Sequence, residues 1–125
     1  FCLMLGNLAW TLAYDTFYAM VDRDDDLQIG VKSTAIRFGR FDLLAIGLSQ
    51  LVALMGFGAA FYLANLSGFA ALGWLGALGF AIHHQWIAKT RARADCFRAF
   101  LENHRFGACL FVGASIDIMI QGLML

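Results

Sequence analysis

The sequence predicts an all-α protein, a polytopic transmembrane bundle of about four spans. Three observations carry this reading. Hydrophobic residues make up 61% of the 125 positions and charged residues only 14%, where a soluble domain carries nearer a quarter charged. Residues 43–88, a stretch of 46, contain no Asp, Glu, Lys or Arg. All nine Lys and Arg residues fall into two short segments.

The uncharged stretch is too long for one membrane crossing. A bilayer core of about 30 Å needs about 20 helical residues, so 46 residues accommodate two spans and a turn. Asn65-Leu66-Ser67-Gly68 supplies the turn chemistry. Two further apolar stretches flank it, one interrupted only by Asp15 and the other only by Asp117. The expected spans are 1–21, 43–64, 69–88 and 106–125, forming one transmembrane domain over 1–125. With 13 glycines and no proline, such helices can pack closely in lipid. A soluble helical bundle is the competing architecture, and the uncharged run exceeds ordinary core helices.

Arg23, Lys32, Arg37 and Arg40 lie between the first and second spans. Lys89, Arg91, Arg93, Arg98 and Arg105 lie between the third and fourth. Four spans put both segments on one side, and the positive-inside rule makes that side the cytoplasm. Loops 22–42 and 89–105 are therefore expected to be cytoplasmic, with the lipid bilayer as the protein's surroundings. The chain opens with Phe-Cys-Leu-Met inside an apolar run. This start is expected within or just before a helix, and a signal peptide is not expected. Net charge is zero, and nucleic acid is not an expected partner.

Several weaker patterns have plain readings. Cys2, Cys96 and Cys109 show neither metal spacing nor even pairing, and apolar packing is expected. His83 and His84 are adjacent, so they point to different faces and make a poor metal pair. Gly73, Gly76 and Gly79 suggest a close helix contact. Phe97, Phe100, Leu101 and His104 follow the spacing of an amphipathic helix, expected at the membrane interface with its arginines toward solvent. A lid over a site is the sharper reading of that segment. Asp117 is expected to face the bundle interior or an interface, because an acid in hydrocarbon is expensive.

The strong signal is acidic. Asp15 lies inside the first span, with Asp22 and Asp26 seven and eleven residues on. At about 100° per residue, both fall within roughly 20° of Asp15. If the helix continues, the three form one stripe with Tyr18 beside it, while Asp24 and Asp25 point elsewhere. Three anions on one face need compensation. Magnesium suits the task, since it takes one or two carboxylates plus waters and substrate phosphates. A solvated acidic loop is the bland alternative, and the depth of Asp15 argues against it. The Asp22-x-Asp24-x-Asp26 run also opens like an EF-hand. That reading fails, because Leu27 stands where the loop needs glycine and Ser33 where it needs glutamate.

The segment YDTFYAMVDRDDDLQIGVKSTAIRFG (14–39) resembles the second aspartate-rich region of the UbiA family of membrane prenyltransferases, most closely its members acting on 4-hydroxybenzoate. TRARADCFRAFLENHRFG (90–107) extends the resemblance over most of the chain. The resemblance implies an all-helical nine-span enzyme that joins a polyprenyl diphosphate to an aromatic acid in ubiquinone biosynthesis, in the bacterial inner membrane. By the same resemblance Asp22 and Asp26 hold Mg²⁺ and diphosphate, and Asp15 is the upstream acid near the acceptor. Lys32 follows the motif glycine and would compensate diphosphate charge. The family's first aspartate-rich motif is not present in this sequence, so the resemblance implies an N-terminal half as partner and an inactive isolated chain. From a different class, a transporter or channel subunit with an acidic cation-binding mouth fits the intramembrane acids.

Overall fold

The computed structural model describes residues 1–124, which form helices and connecting turns with no strand among them. Four long helices dominate: α1 (Cys2–Val21), α4 (Asp42–Leu63), α5 (Gly68–Ala88) and α7 (His104–Met124). Short helices fill the connections: α2 (Arg23–Ile29) and α3 (Thr34–Phe38), then a 3-10 turn over Gly39–Phe41, precede α4. The helix α6 (Arg93–Glu102) lies between α5 and α7. Two helical stretches, Thr34–Leu63 and Arg93–Met124, are long and apolar enough to cross a membrane. The helices α1 and α5 have comparable length, with Asn7 and Asp15 in one and His83-His84-Gln85 in the other.

The bundle is built from two close pairs, α1 on α4 and α5 on α7. Each pair meets through glycine. A Cβ on Gly56 would stand 2.8 Å from the Gly6 backbone, and one on Gly113 would stand 2.4 Å from the Phe69 carbonyl oxygen. Without a solvent-driven force between helices in lipid, such close approach supplies the dispersion that holds them. Gly73 and Gly76 face Cys109 of α7, whereas Gly79 meets nothing within 4 Å. The core is correspondingly rich in small side chains, with Ala13, Ala35, Ala53, Ala77, Ala88 and Ala99 fully buried.

The charged loops share one end of the bundle. Arg91 reaches across to Asp42 at 3.0 Å, and Arg93 reaches Asp25 at 3.0 Å. The turn after α4 lies at the other end, where the Gln121 amide donates to the Asn65 carbonyl at 2.9 Å. There Asp117 finds its partners. Its carboxylate accepts from the backbone N–H groups of Ser67, Phe69 and Ala70 at 2.9, 3.1 and 3.0 Å. A helix starts with unpaired N–H groups and a partial positive charge, and α5 has no cap from its own Ser67 side chain. An acid from the last helix supplies the cap instead.

In α6, Cys96 and Ala99 are buried against the bundle, while Phe97 and Leu101 are exposed. These small residues let α6 lie close against α1, while Phe100 packs over Tyr18 with the two rings tilted by 55°. One expectation needs correction: α1 does not run on through the acidic motif. It ends at Val21, Asp22 adopts φ −94° and ψ 4°, and α2 begins at Arg23.

Candidate functional site

The acidic motif sits where α1 gives way to α2. Asp22 occupies the N-cap position of α2, and Asp24, Asp25 and Asp26 fill its first turn. Carboxylates there are favoured by the helix dipole. The turn closes on Gly30, whose φ of 77° is left-handed and suits glycine, and Val31 donates back to the Asp26 carbonyl at 3.0 Å. The Asp26 N–H donates to the Asp22 carbonyl at 2.8 Å. Asp22 and Asp26 are thus one turn apart, as the spacing predicted, although the helix axis breaks at the first of them.

Asp15 is exposed rather than buried. It lies on the face of α1 that carries exposed Leu5, Leu8 and Leu12, opposite the packing face of Ala13, Phe17 and Met20. Nothing among the described residues covers this face. Asp22 and Asp26 are half-buried, whereas Asp24, Asp25 and Lys32 are exposed. Tyr18 is 46% exposed and packs on Phe100 with ring centroids 5.0 Å apart. Further along α1, Tyr14 meets Trp10 edge-on, and Trp10 stacks on Phe106. These rings form an aromatic wall beside Asp15. It leads into an apolar groove of about 670 Å³ between α1, α4 and α7, lined by Trp10, Phe57, Phe61 and Phe111.

No group of three His, Cys, Asp or Glu side chains among the described residues is gathered to hold a metal ion. The pair Asp22 and Asp26 still fits magnesium, whose usual donors are one or two carboxylates, water and phosphate oxygen. It does not fit a metal that needs a closed protein cage.

Four charged residues that were not site candidates in the sequence, Asp42, Arg23, Arg91 and Arg93, meet at the site. The Asp42 side chain is fully buried. It is paired with Arg23, accepts from Arg91 Nε at 3.0 and 3.3 Å, and accepts from the Leu43 N–H at 2.6 Å. Burial pushes its carboxyl up, but the bonds from Arg23, Leu43 and Arg91 outweigh that and hold it below the ordinary carboxylate value. Arg23 therefore serves Asp42 rather than its neighbour Asp24. Arg93, at the start of α6, lies 3.0 Å from Asp25 and 3.7 Å from Asp22. In sequence Asp42 merely borders an apolar run, and nothing pairs it with arginines 19 residues upstream and 49 downstream.

The remaining polar groups are mostly structural. His83 lies 3.3 Å from Glu102, which Arg98 also holds at 2.9 Å. His84 is buried between Phe17 and Phe80. Trp10 donates to Asn103 at 3.2 Å. The cysteines are free, with Cys96 fully buried.

Comparison with known proteins shows the family to which the chain belongs. The model of the UbiA prenyltransferase family matches residues 1–111. The chain is 49% identical over 118 residues to the 4-hydroxybenzoate octaprenyltransferase of Shewanella frigidimarina (strain NCIMB 400), covering 94% of this chain and 41% of that protein. It is 51% identical over 118 residues to the enzyme of the same name from Shewanella baltica (strain OS155), with the same coverage. For the Shewanella pealeana protein of that name the identity is 48% over 120 residues, covering 96% and 42%. The chain thus spans about 41% of the length of the curated relatives it matches. No solved structure matches it. On the family match and these identities, the chain belongs to the UbiA prenyltransferase family.

Proposed function

We propose that this chain supplies one half of the active site of a membrane prenyltransferase, which transfers a polyprenyl group from its diphosphate to an aromatic acid. The best candidate acceptor is 4-hydroxybenzoate, and the process is ubiquinone biosynthesis. The observation that carries the reading is the placement of Asp22 and Asp26, one turn apart at the open side of the α1–α2 break. They occur in a chain about half identical to octaprenyltransferases.

Asp22 and Asp26 would hold Mg²⁺ at the diphosphate. When bound, the metal supplies Lewis-acid neutralisation of the leaving group. Lys32, on the extended segment after Gly30, adds positive charge toward the diphosphate. The aromatic wall of Tyr18, Tyr14 and Trp10 lies beside the acids and suits an electron-poor allylic carbon through cation–π attraction. The apolar groove beyond it suits an isoprenoid tail. Asp15 faces the acceptor side of the same helix. An aromatic carbon next to the phenol hydroxyl attacks the allylic carbon as its bond to the diphosphate oxygen breaks, diphosphate departs with the electron pair, and the ring proton passes to water.

The same proposal has four spans, with loops 22–42 and 89–105 facing the cytoplasm from the bacterial inner membrane. The uncovered Asp15 face of α1 receives the N-terminal half of the enzyme. An intramembrane acid is tolerated where it faces protein or a watery cavity, and such a partner provides both.

The test is Mg²⁺-dependent binding of a prenyl diphosphate by the chain co-expressed with the N-terminal half from a relative. Saturable binding that disappears with chelator supports the proposal. Binding of cations with no effect of prenyl diphosphate would refute it and restore the transporter reading.

A further inference from the structure

Asp42 joins parts of the chain that lie far apart in sequence. Its fully buried carboxylate holds Arg23, the residue after Asp22. It also holds Arg91, two residues before Arg93. Both arginines are tied a second time, to backbone. Arg23 donates to the Ala35 carbonyl at 3.2 Å, and Arg91 donates to the Arg40 carbonyl at 3.1 Å. One anion therefore pins the α1–α2 break, the 35–42 connection and the start of the 89–105 loop.

The backbone at Arg91 gives a second, independent sign. Its φ is 56°, a left-handed conformation that residues with a side chain rarely adopt. Such strain persists only where the surroundings impose it, and it clusters at functional sites. Here it turns the chain so that Arg91 enters the Asp42 pocket while Arg93 faces Asp22 and Asp25.

We infer that Asp42 is a positioning residue of the acidic site: through Arg23 and Arg91 it fixes the two loops that set Asp22 and Arg93 facing each other. The inference rests on the reading of Asp22 and Asp26 as the diphosphate site. Asp42 touches no substrate in this account. It orients groups that do, in the way outer partners orient metal ligands. Without it, Arg23 is left half-buried with no counter-charge, and the 89–92 turn loses the anion that holds its strained conformation.

A merely structural ion pair would lower stability and leave the behaviour of folded protein toward each substrate unchanged. A positioning residue acts on one substrate and not the other. The experiment uses the complete enzyme, assembled with its N-terminal half, in wild-type, Asp42→Asn and Arg91→Gln forms. Binding of inorganic diphosphate with Mg²⁺ is measured by calorimetry, and KM is measured separately for prenyl diphosphate and aromatic acid.

Asp42→Asn is expected to weaken Mg²⁺–diphosphate binding by about 10- to 100-fold, the usual effect of removing a group that orients metal ligands. KM for the prenyl diphosphate rises in parallel, and KM for the aromatic acid stays within about twofold. Arg91→Gln removes only the more exposed arm of the clamp, and a smaller change in the same direction is expected. Should Asp42→Asn fail to fold, Arg91→Gln decides alone. Unchanged diphosphate binding in the folded variants overturns the inference, as does an equal rise in both KM values. If wild type itself binds no Mg²⁺–diphosphate, the functional reading falls and the inference falls with it.

Discussion

Replacing Gly73 by alanine tests how α5 and α7 are held together. A Cβ at this position would lie 2.3 Å from the Cys109 carbonyl oxygen and 3.2 Å from the Gly113 Cα. Both obstacles are backbone, so no rotamer change relieves them and the helices must separate. Alanine also removes the helix penalty of glycine, a gain of about 0.5–1 kcal/mol. Gly79→Ala in the same helix meets nothing within 4 Å and shows that gain alone. The difference between the two variants isolates the clash, which by the usual cost of overpacking is about 1–3 kcal/mol. The assay is unfolding of the purified protein in mixed micelles by titration with a denaturing detergent, followed by circular dichroism. Gly113→Ala, whose Cβ meets the Phe69 carbonyl at 2.4 Å, should match Gly73→Ala. The double variant should cost less than the sum, since the first substitution already parts the helices. Equal midpoints for Gly73→Ala and Gly79→Ala would show that α5 and α7 do not meet at this crossing.

Asp117→Leu offers a contest between two effects. Removal of an acid from an apolar helix favours insertion, whereas the cap on Ser67, Phe69 and Ala70 is lost. The fold predicts a lower melting temperature, with Asp117→Asn intermediate; a rise for Asp117→Leu would contradict the cap. The Asp42 clamp predicts an acid-sensitive fold. The folded-state pKa of Asp42 lies below its ordinary value of 3.8, so its stabilisation is complete above that pH and fades as pH falls through the folded value. Melting temperatures of wild type and Asp42→Asn should differ at pH 6 and converge as the pH drops below about 4; a gap independent of pH would rule out the charge as the cause.

The sequence made the helices legible because their signals were long. An uncharged stretch of 46 residues and two segregated basic segments leave little freedom, and the helices end within two residues of the expected spans. Short-range geometry was less accessible. The helix break at Asp22 has neither Pro nor Gly to announce it. Its available signal was an acid at an N-cap position followed by a first turn of acids, which the continuous-stripe reading absorbed. The exposure of Asp15 could not follow from periodicity, which says which residues share a face but not what covers it. The Asp42 clamp spans 19 residues in one direction and 49 in the other, beyond the reach of local pattern.

The central claim is that Asp22 and Asp26 carry the diphosphate chemistry while their acidic neighbours do not. The direct measurement is prenyl transfer to 4-hydroxybenzoate by the complete enzyme, with Mg²⁺ titrated for each of four variants. Asp22→Asn and Asp26→Asn keep the side-chain size, remove the charge and should abolish turnover at any Mg²⁺ concentration, since metal stabilisation of the leaving group is worth several kcal/mol. Asp24→Asn and Asp25→Asn should retain most activity, because both side chains are exposed and Arg93, the partner of Asp25, keeps Asp22 as its second partner. Equal damage in all four variants would mean that the acids act as a diffuse charge rather than a pair one turn apart. Full activity in Asp22→Asn and Asp26→Asn would place the diphosphate site elsewhere and contradict the account.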